Sequence, residues 1–150
     1  MHHHANLLTR TDDLRELIAA VERIAVLGIK TERQSDQPAF YVPRYLDRAG
    51  FDVIPVPVYY PEVTEILGKP VYRRLADIPG RVDLVNVFRR PRDIEAHLDD
   101  MLAAKPAAVW FQSGIRHSEA AEALARAGIK VVQDRCLMVE HRSLATPAAL

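Results

Sequence analysis

The stretch Arg23-Ile24-Ala25-Val26-Leu27-Gly28-Ile29-Lys30 constrains the fold more than any other part of the chain. Apolar residues run from Ile24 to the glycine with no polar residue alternating among them. Such a run reads as a parallel strand buried on both faces. Gly28 lets the backbone turn sharply and lets a ligand approach where a Cβ would stand in the way. In open α/β sheets the loop just past the first strand is a common place for a nucleotide-like ligand.

The rest of the chain alternates apolar runs with amphipathic segments. Leu14, Leu17, Ile18 and Val21 share one helical face, with Thr11 as cap and Asp12 and Asp13 in the first turn. After a polar loop from Lys30 to Pro38, a second helix presents Ala39, Val42, Leu46 and Ala49, and Pro43 is expected near its start. Strands are predicted at 23–29, 51–58, 82–88, 107–111 and 130–133, with one possible helical turn at 62–67. Pro91 suits the first position of a helix that buries Ile94, Leu98, Met101 and Leu102. Ser118 is expected to cap a further helix that Gly128 ends. The pattern predicts an α/β, Rossmann-like three-layer sandwich. Its mainly parallel sheet has five or six strands and core order 3-2-1-4-5, reversing between strands 1 and 4. That order selects the loops after Gly28 and after Phe111 as the ligand site.

A chain of 150 residues suits one domain and buries roughly 70% of its unfolded surface. The reading divides it into an N-terminal tail and helix over 1–22, a core domain over 23–142 and a C-terminal tail over 143–150. Lys plus Arg and Asp plus Glu number 20 each, so no global charge draws the chain to nucleic acid or an anionic membrane. The lone Cys136 forms no internal disulfide, which makes a reducing cytoplasm the expected compartment. No apolar run approaches a membrane span, and the N-terminus carries no secretory h-region. His2, His3 and His4 read as a metal tract, a tag remnant or a disordered native terminus.

The strand ends carry the chemistry. Gly28, Ile29, Lys30 and Arg33 offer backbone amides and cations for a phosphate, or an ordinary turn with solvated cations. G-x-G-x-x-G and the P-loop pattern are both missing. Phe88-Arg89-Arg90-Pro91 puts two guanidiniums before a helix N-terminus, where cations are unfavourable unless an anion or an acidic neighbour answers them. Gln112-Ser113-Gly114 ends the fourth strand with an amide, a hydroxyl and an open backbone. Cys136, Glu140 and His141 match no zinc spacing. Cys136 reads as a small hydrophobe, and Glu140 and His141 as a hydrogen-bonded pair. His97 reads as packing and His117 as local structure. No residue is assigned a catalytic or metal-ligating role.

Together these pieces resemble the small stand-alone CoA-binding domain proteins of bacteria, which share the Rossmann-like fold of the succinyl-CoA synthetase α-subunit N-terminal domain. The matching elements include Ile24-Ala25-Val26-Leu27-Gly28, Val53-Ile54-Pro55-Val56, Val87-Phe88-Arg89-Arg90-Pro91, Val109-Trp110-Phe111-Gln112-Ser113-Gly114-Ile115 and Asp134-Arg135-Cys136-Leu137. Pro57 departs from the family, which carries asparagine there. The resemblance implies coenzyme A, or an acyl-CoA, as the ligand. It places the diphosphate at Gly28 and Ile29 and the 3′-phosphate at Lys30 or Arg33. Arg89, Arg90 and Pro91 would border the adenosine or phosphates, Phe88, Pro55 and Val56 would belong to the same binding site, and Gln112, Ser113 and Gly114 would line the pantetheine side.

The reading that follows is non-catalytic binding of CoA through its phosphates at the C-terminal edge of the sheet. The phosphohistidine of succinyl-CoA synthetase sits on a further domain for which these 150 residues leave no room. The alternatives are an NAD(P)-binding enzyme, which the missing fingerprint opposes, and a regulatory or interaction subunit of an acyl-CoA-handling system. Neither nucleic acid nor membrane is expected as a partner.

Overall fold

The computed structural model describes residues 3–145. In chain order the elements are α1 (Thr11–Ala20), β1 (Arg23–Leu27), α2 (Pro38–Arg48), β2 (Asp52–Val56), β3 (Glu65–Ile66), β4 (Lys69–Pro70), β5 (Leu84–Val87), α3 (Pro91–Ala104), β6 (Ala108–Phe111), α4 (Ser118–Arg126), β7 (Lys130–Val132) and α5 (Leu137–Ala145). Five strands form one parallel sheet, and β3 and β4 make a separate short hairpin. The α/β three-layer architecture read from the sequence is therefore the one observed.

Both faces of the sheet are covered, which is why its strands lack polar alternation. Ala25, Leu27, Val85 and Phe111 share a core with Ile94 and Met101 of α3 and Leu124 of α4. Ile24, Val26, Leu84 and Trp110 share the other with Leu14 of α1, Phe40 and Leu46 of α2 and Leu137 of α5. No helix among the described residues is long and apolar enough to cross a membrane.

The strand order corrects the expectation. The sheet runs β2-β1-β5-β6-β7, so the third long strand lies beside β1, not outside β2. The flank of β2 is taken by the hairpin segment, where the Tyr72 N–H donates to the Pro55 carbonyl at 3.0 Å. That segment replaces the helical turn expected at 62–67. The chain then passes through Leu75, Ile78 and Val82, all buried in the α3–α4 core, and returns beside β1. The Asp83 carboxylate fastens this return by accepting the Glu22 and Arg23 N–H groups at 3.0 and 2.9 Å. The reversal therefore lies between β1 and β5.

Several local readings also shift. Arg10, not Thr11, occupies the N-cap position of α1, and His117, not Ser118, caps α4, its Nδ1 accepting the Ala120 N–H at 3.1 Å. Pro43 sits well inside α2. A proline cannot donate to the carbonyl four residues back. Here the Lys30 N–H takes the Ala39 carbonyl at 3.1 Å, so the defect in the helix ties down the loop after β1. Glu140 and His141 do not pair with each other. Glu140 meets Arg135 at 3.2 Å, and His141 Nδ1 meets the Tyr45 hydroxyl at 2.7 Å. The tail expected from residue 143 begins inside α5. His2 lies outside the described residues.

Gly28 is held by packing. Its φ is +87°, and a Cβ there would stand 2.3 Å from the Phe88 carbonyl oxygen and 3.2 Å from Arg89 Cδ. The close approach that glycine permits is made by the neighbouring strand's exit. Gly114, with φ +81°, has open space where its Cβ would be. We expect Gly28→Ala to lose about 2–5 kcal/mol of stability, the sum of left-handed backbone strain and forced displacement of the β5 exit. Gly114→Ala should lose only the strain, about 1–2 kcal/mol. Urea unfolding of the two variants measures the difference, and equal losses would contradict the packing argument.

Candidate functional site

The reversal between β1 and β5 brings the exits of those two strands together, as the switch-point rule requires of a ligand site. A cavity of about 370 Å³ opens there. Lys30 enters from the loop after β1, and Pro38 and Ala39 from the start of α2. Phe88, Arg89, Arg90 and Pro91 enter from the exit of β5 into α3, and Gly114 and Ile115 from the loop after β6.

Two helices begin at this cavity, and neither has a side-chain cap. Gln37 precedes α2 and Arg90 precedes α3, and the side chain of neither makes a capping hydrogen bond. A proline opens each helix. The first turn of a helix carries unsatisfied N–H groups and a partial positive charge. Lys30, Arg89 and Arg90 add three formal cations to the same lining. A neutral chain thus concentrates positive potential at one point.

An acidic neighbour answers part of that charge. Asp93, in the first turn of α3, meets Arg90 Nε at 2.8 Å and Arg89 Nη2 at 3.8 Å. Its hydrogen bond from Arg90, with the guanidinium charges, holds its carboxyl below the ordinary aspartate value. Arg89 is also steered by two other residues. Its Nε donates to His97 Nε2 at 3.1 Å, and its Nη1 to the Tyr59 hydroxyl at 3.3 Å, with the guanidinium 5.4 Å from the Tyr59 ring centre. The hydrogen bond from Arg89, together with its charge, lowers the Tyr59 phenol's pKa. Burial, and then the Arg89 charge, lower that of the His97 imidazole. Lys30 Nζ bonds the Gln37 side-chain oxygen.

Of the residues singled out in the sequence, Lys30, Phe88, Arg89, Arg90 and Gly114 meet at this cavity. Gly28 lies directly behind Arg89. The others fall elsewhere. Ile29 is 1% exposed and Val56 0%, both within the cores. Pro55 is buried in β2 beside the hairpin. Arg33 is exposed on a short turn that Thr31 and Gln34 cap reciprocally. Ser113 is exposed outside the lining. Gln112 is 4% exposed and turns inward, its Oε1 accepting from Asn86 Nδ2 at 3.2 Å and the Leu137 N–H at 3.3 Å. Its side-chain oxygen thus joins β5, β6 and α5, and the residue is not part of the lining.

The sequence reading missed Tyr59 and took His97 for packing. Tyr59 comes from the irregular segment after β2, whose path no local pattern specifies. The hint for His97 was its position eight residues after Arg89, on the helix that the arginines precede.

Comparison with known proteins agrees with this architecture. The profile of the family described as "CoA binding domain" matches residues 22–142. The Bacillus subtilis (strain 168) protein named as uncharacterized protein YneT is 31% identical over 129 residues, covering 86% of this chain and 92% of that one. A solved structure described as cell-free ID.343 from Thermus thermophilus superposes with a TM-score of 0.82 at 43% identity, covering 91% of this chain and 99% of its own. A hypothetical protein from Pyrococcus horikoshii OT3 superposes at 0.81 with 30% identity, covering 94% and 95%.

The Arg89–His97 bond makes a prediction about pH. His97 accepts from Arg89 only while Nε2 is unprotonated. Its folded pKa lies below the unfolded value of about 6.5, so the unfolded chain takes up the proton first. Stability is fully present above that value and falls as pH drops through the folded pKa, by at most about 1.4 kcal/mol per pH unit. Acidification from about pH 7.5 to about pH 5.5 should cost the native chain more stability than it costs His97→Gln, which keeps an acceptor but does not titrate. Parallel loss in denaturant melts of both proteins would contradict the assignment.

Proposed function

We propose, from the premise that this chain belongs to the CoA binding domain family, that it holds coenzyme A or an acyl-CoA at the β1–β5 cavity and performs no chemistry on it. One observation carries the reading. Two uncapped helix starts and three cations converge on a single cavity at the point where the strand order reverses. That arrangement suits a ligand bearing several phosphates.

The residues fit the chemistry of CoA at both of its ends. Arg89, Arg90 and Lys30 would hold phosphate oxygens, with the guanidiniums able to bind them bidentately. Asp93 and His97 keep Arg89 in place before the ligand arrives. Phe88, Pro91 and Ile115 offer apolar surface to the adenosine or the pantetheine arm. Gly114, with open space at its Cβ position, lets that arm pass close to the backbone. CoA itself supplies a thioester-forming thiol. The lining side chains supply charge and shape, and the binding-only reading rests on that division.

Thermal unfolding with added ligands tests this. CoA at about 100 times its Kd should stabilise the protein by about 2.7 kcal/mol. Dephospho-CoA should stabilise it less and NAD least, while acetyl-CoA should match CoA and be recovered intact after incubation. Arg89→Ala should weaken CoA binding in calorimetry by about 1.5–3 kcal/mol. A larger effect of NAD would overturn the ligand. Consumption of acetyl-CoA would overturn the binding-only reading, and equal shifts with CoA and dephospho-CoA would remove the 3′-phosphate from it.

A further inference from the structure

His3, His4 and Glu122 lie apart from the cavity, and none of them lines it. The first described residues are docked onto the domain. His3–Asn6 forms a short turn against α4, where Asn6 Nδ2 donates to the Ala125 carbonyl at 2.9 Å. Leu7 pairs in parallel with Val131 of the edge strand β7, and the Leu8 N–H donates to the Val131 carbonyl at 2.8 Å. The Leu7 N–H closes the turn onto the His4 carbonyl at 3.0 Å. The backbone at His4 is therefore set by sheet and helix contacts.

The side chains then meet in a specific way. His4 Nε2 is 3.3 Å and His3 Nε2 3.7 Å from the same carboxylate oxygen, Glu122 Oε1. The three donor atoms all lie within 4.8 Å of one another. Glu122 Oε2, the other oxygen, accepts from Arg126 Nη2 at 3.3 Å, which orients the carboxylate from behind. His3 Nε2 is buried and has no hydrogen-bond partner among the described residues. A tetrahedral ion with bonds of about 2.0–2.1 Å has ligand atoms about 3.3–3.4 Å apart. The two His–Glu separations lie close to that edge length. Two imidazoles and one carboxylate suit zinc, nickel or copper, whereas calcium and magnesium call for oxygen ligands.

We propose that His3 Nε2, His4 Nε2 and Glu122 Oε1 form a binding site for a zinc-class divalent cation, with a fourth position left for water. The ion would give the His3 nitrogen, which makes no hydrogen bond among the described residues, a direct bond, and would fasten the amino-terminal segment to α4. The site is independent of CoA binding.

Metal-free full-length protein titrated with zinc chloride in a calorimeter tests it. One ion should bind per chain and raise the melting temperature. Glu122→Gln and His4→Ala should each weaken binding at least tenfold, and His3→Ala, at the chain's docked end and outside both cores, should do the same. Cobalt(II) in place of zinc should show the strong visible absorption of a tetrahedral site, lost in Glu122→Gln. Failure of zinc to bind the native chain would overturn the proposal. So would undiminished binding to Glu122→Gln, which would mean that the histidines take the metal without α4.

Discussion

The Phe88 carbonyl occupies the space that a side chain on Gly28 would need, 2.3 Å from the position of its Cβ. The exits of β1 and β5 are thereby packed directly against one another, and the Phe88 N–H donates to the Leu27 carbonyl at 2.9 Å just below. Every other feature of the cavity depends on this contact. It puts Arg89 beside the loop that carries Lys30, and it sets the start of α3 next to the start of α2. A bulkier residue at position 28 would part the two strand exits and with them the four walls of the site.

The charge at that point is assembled, not inherited from composition. The chain as a whole is neutral. Helix starts without capping side chains, a proline at each, and three nearby cations create local positive potential. Asp93 moderates it, and His97 and Tyr59 hold Arg89 against α3 and the segment after β2. An arginine restrained from three sides loses less side-chain entropy when it meets an anion than one free in solvent. At the proposed CoA site that restraint would favour binding without touching the ligand.

Much of the layered architecture was legible in the sequence, because unbroken apolar strands and amphipathic helices are local patterns. The Arg89-Arg90-Pro91 signal was legible for the same reason, since a helix start is written in neighbouring residues. The strand order was not. Nothing within the long segment between β2 and β5 states on which side of β1 it returns. That depends on the hairpin covering the flank of β2 and on Asp83 clamping the backbone at the entry to β1. The role of Gln112 was hidden likewise. A polar residue at a strand end looks ready for a ligand until Asn86 and Leu137, 26 and 25 residues away, claim its oxygen. Pro43 read as a limit on a helix, whereas its missing N–H leaves the Ala39 carbonyl to Lys30.

By itself the sequence determined a doubly covered parallel sheet, the turn at Gly28 and the arginines at the head of α3. Each follows from hydrophobic periodicity or backbone stereochemistry over a few residues. Tertiary structure alone decided which strands became neighbours, which polar side chains were consumed by the core and which charges share a cavity. Those outcomes rest on contacts between residues far apart in the chain, and no local pattern encodes such contacts.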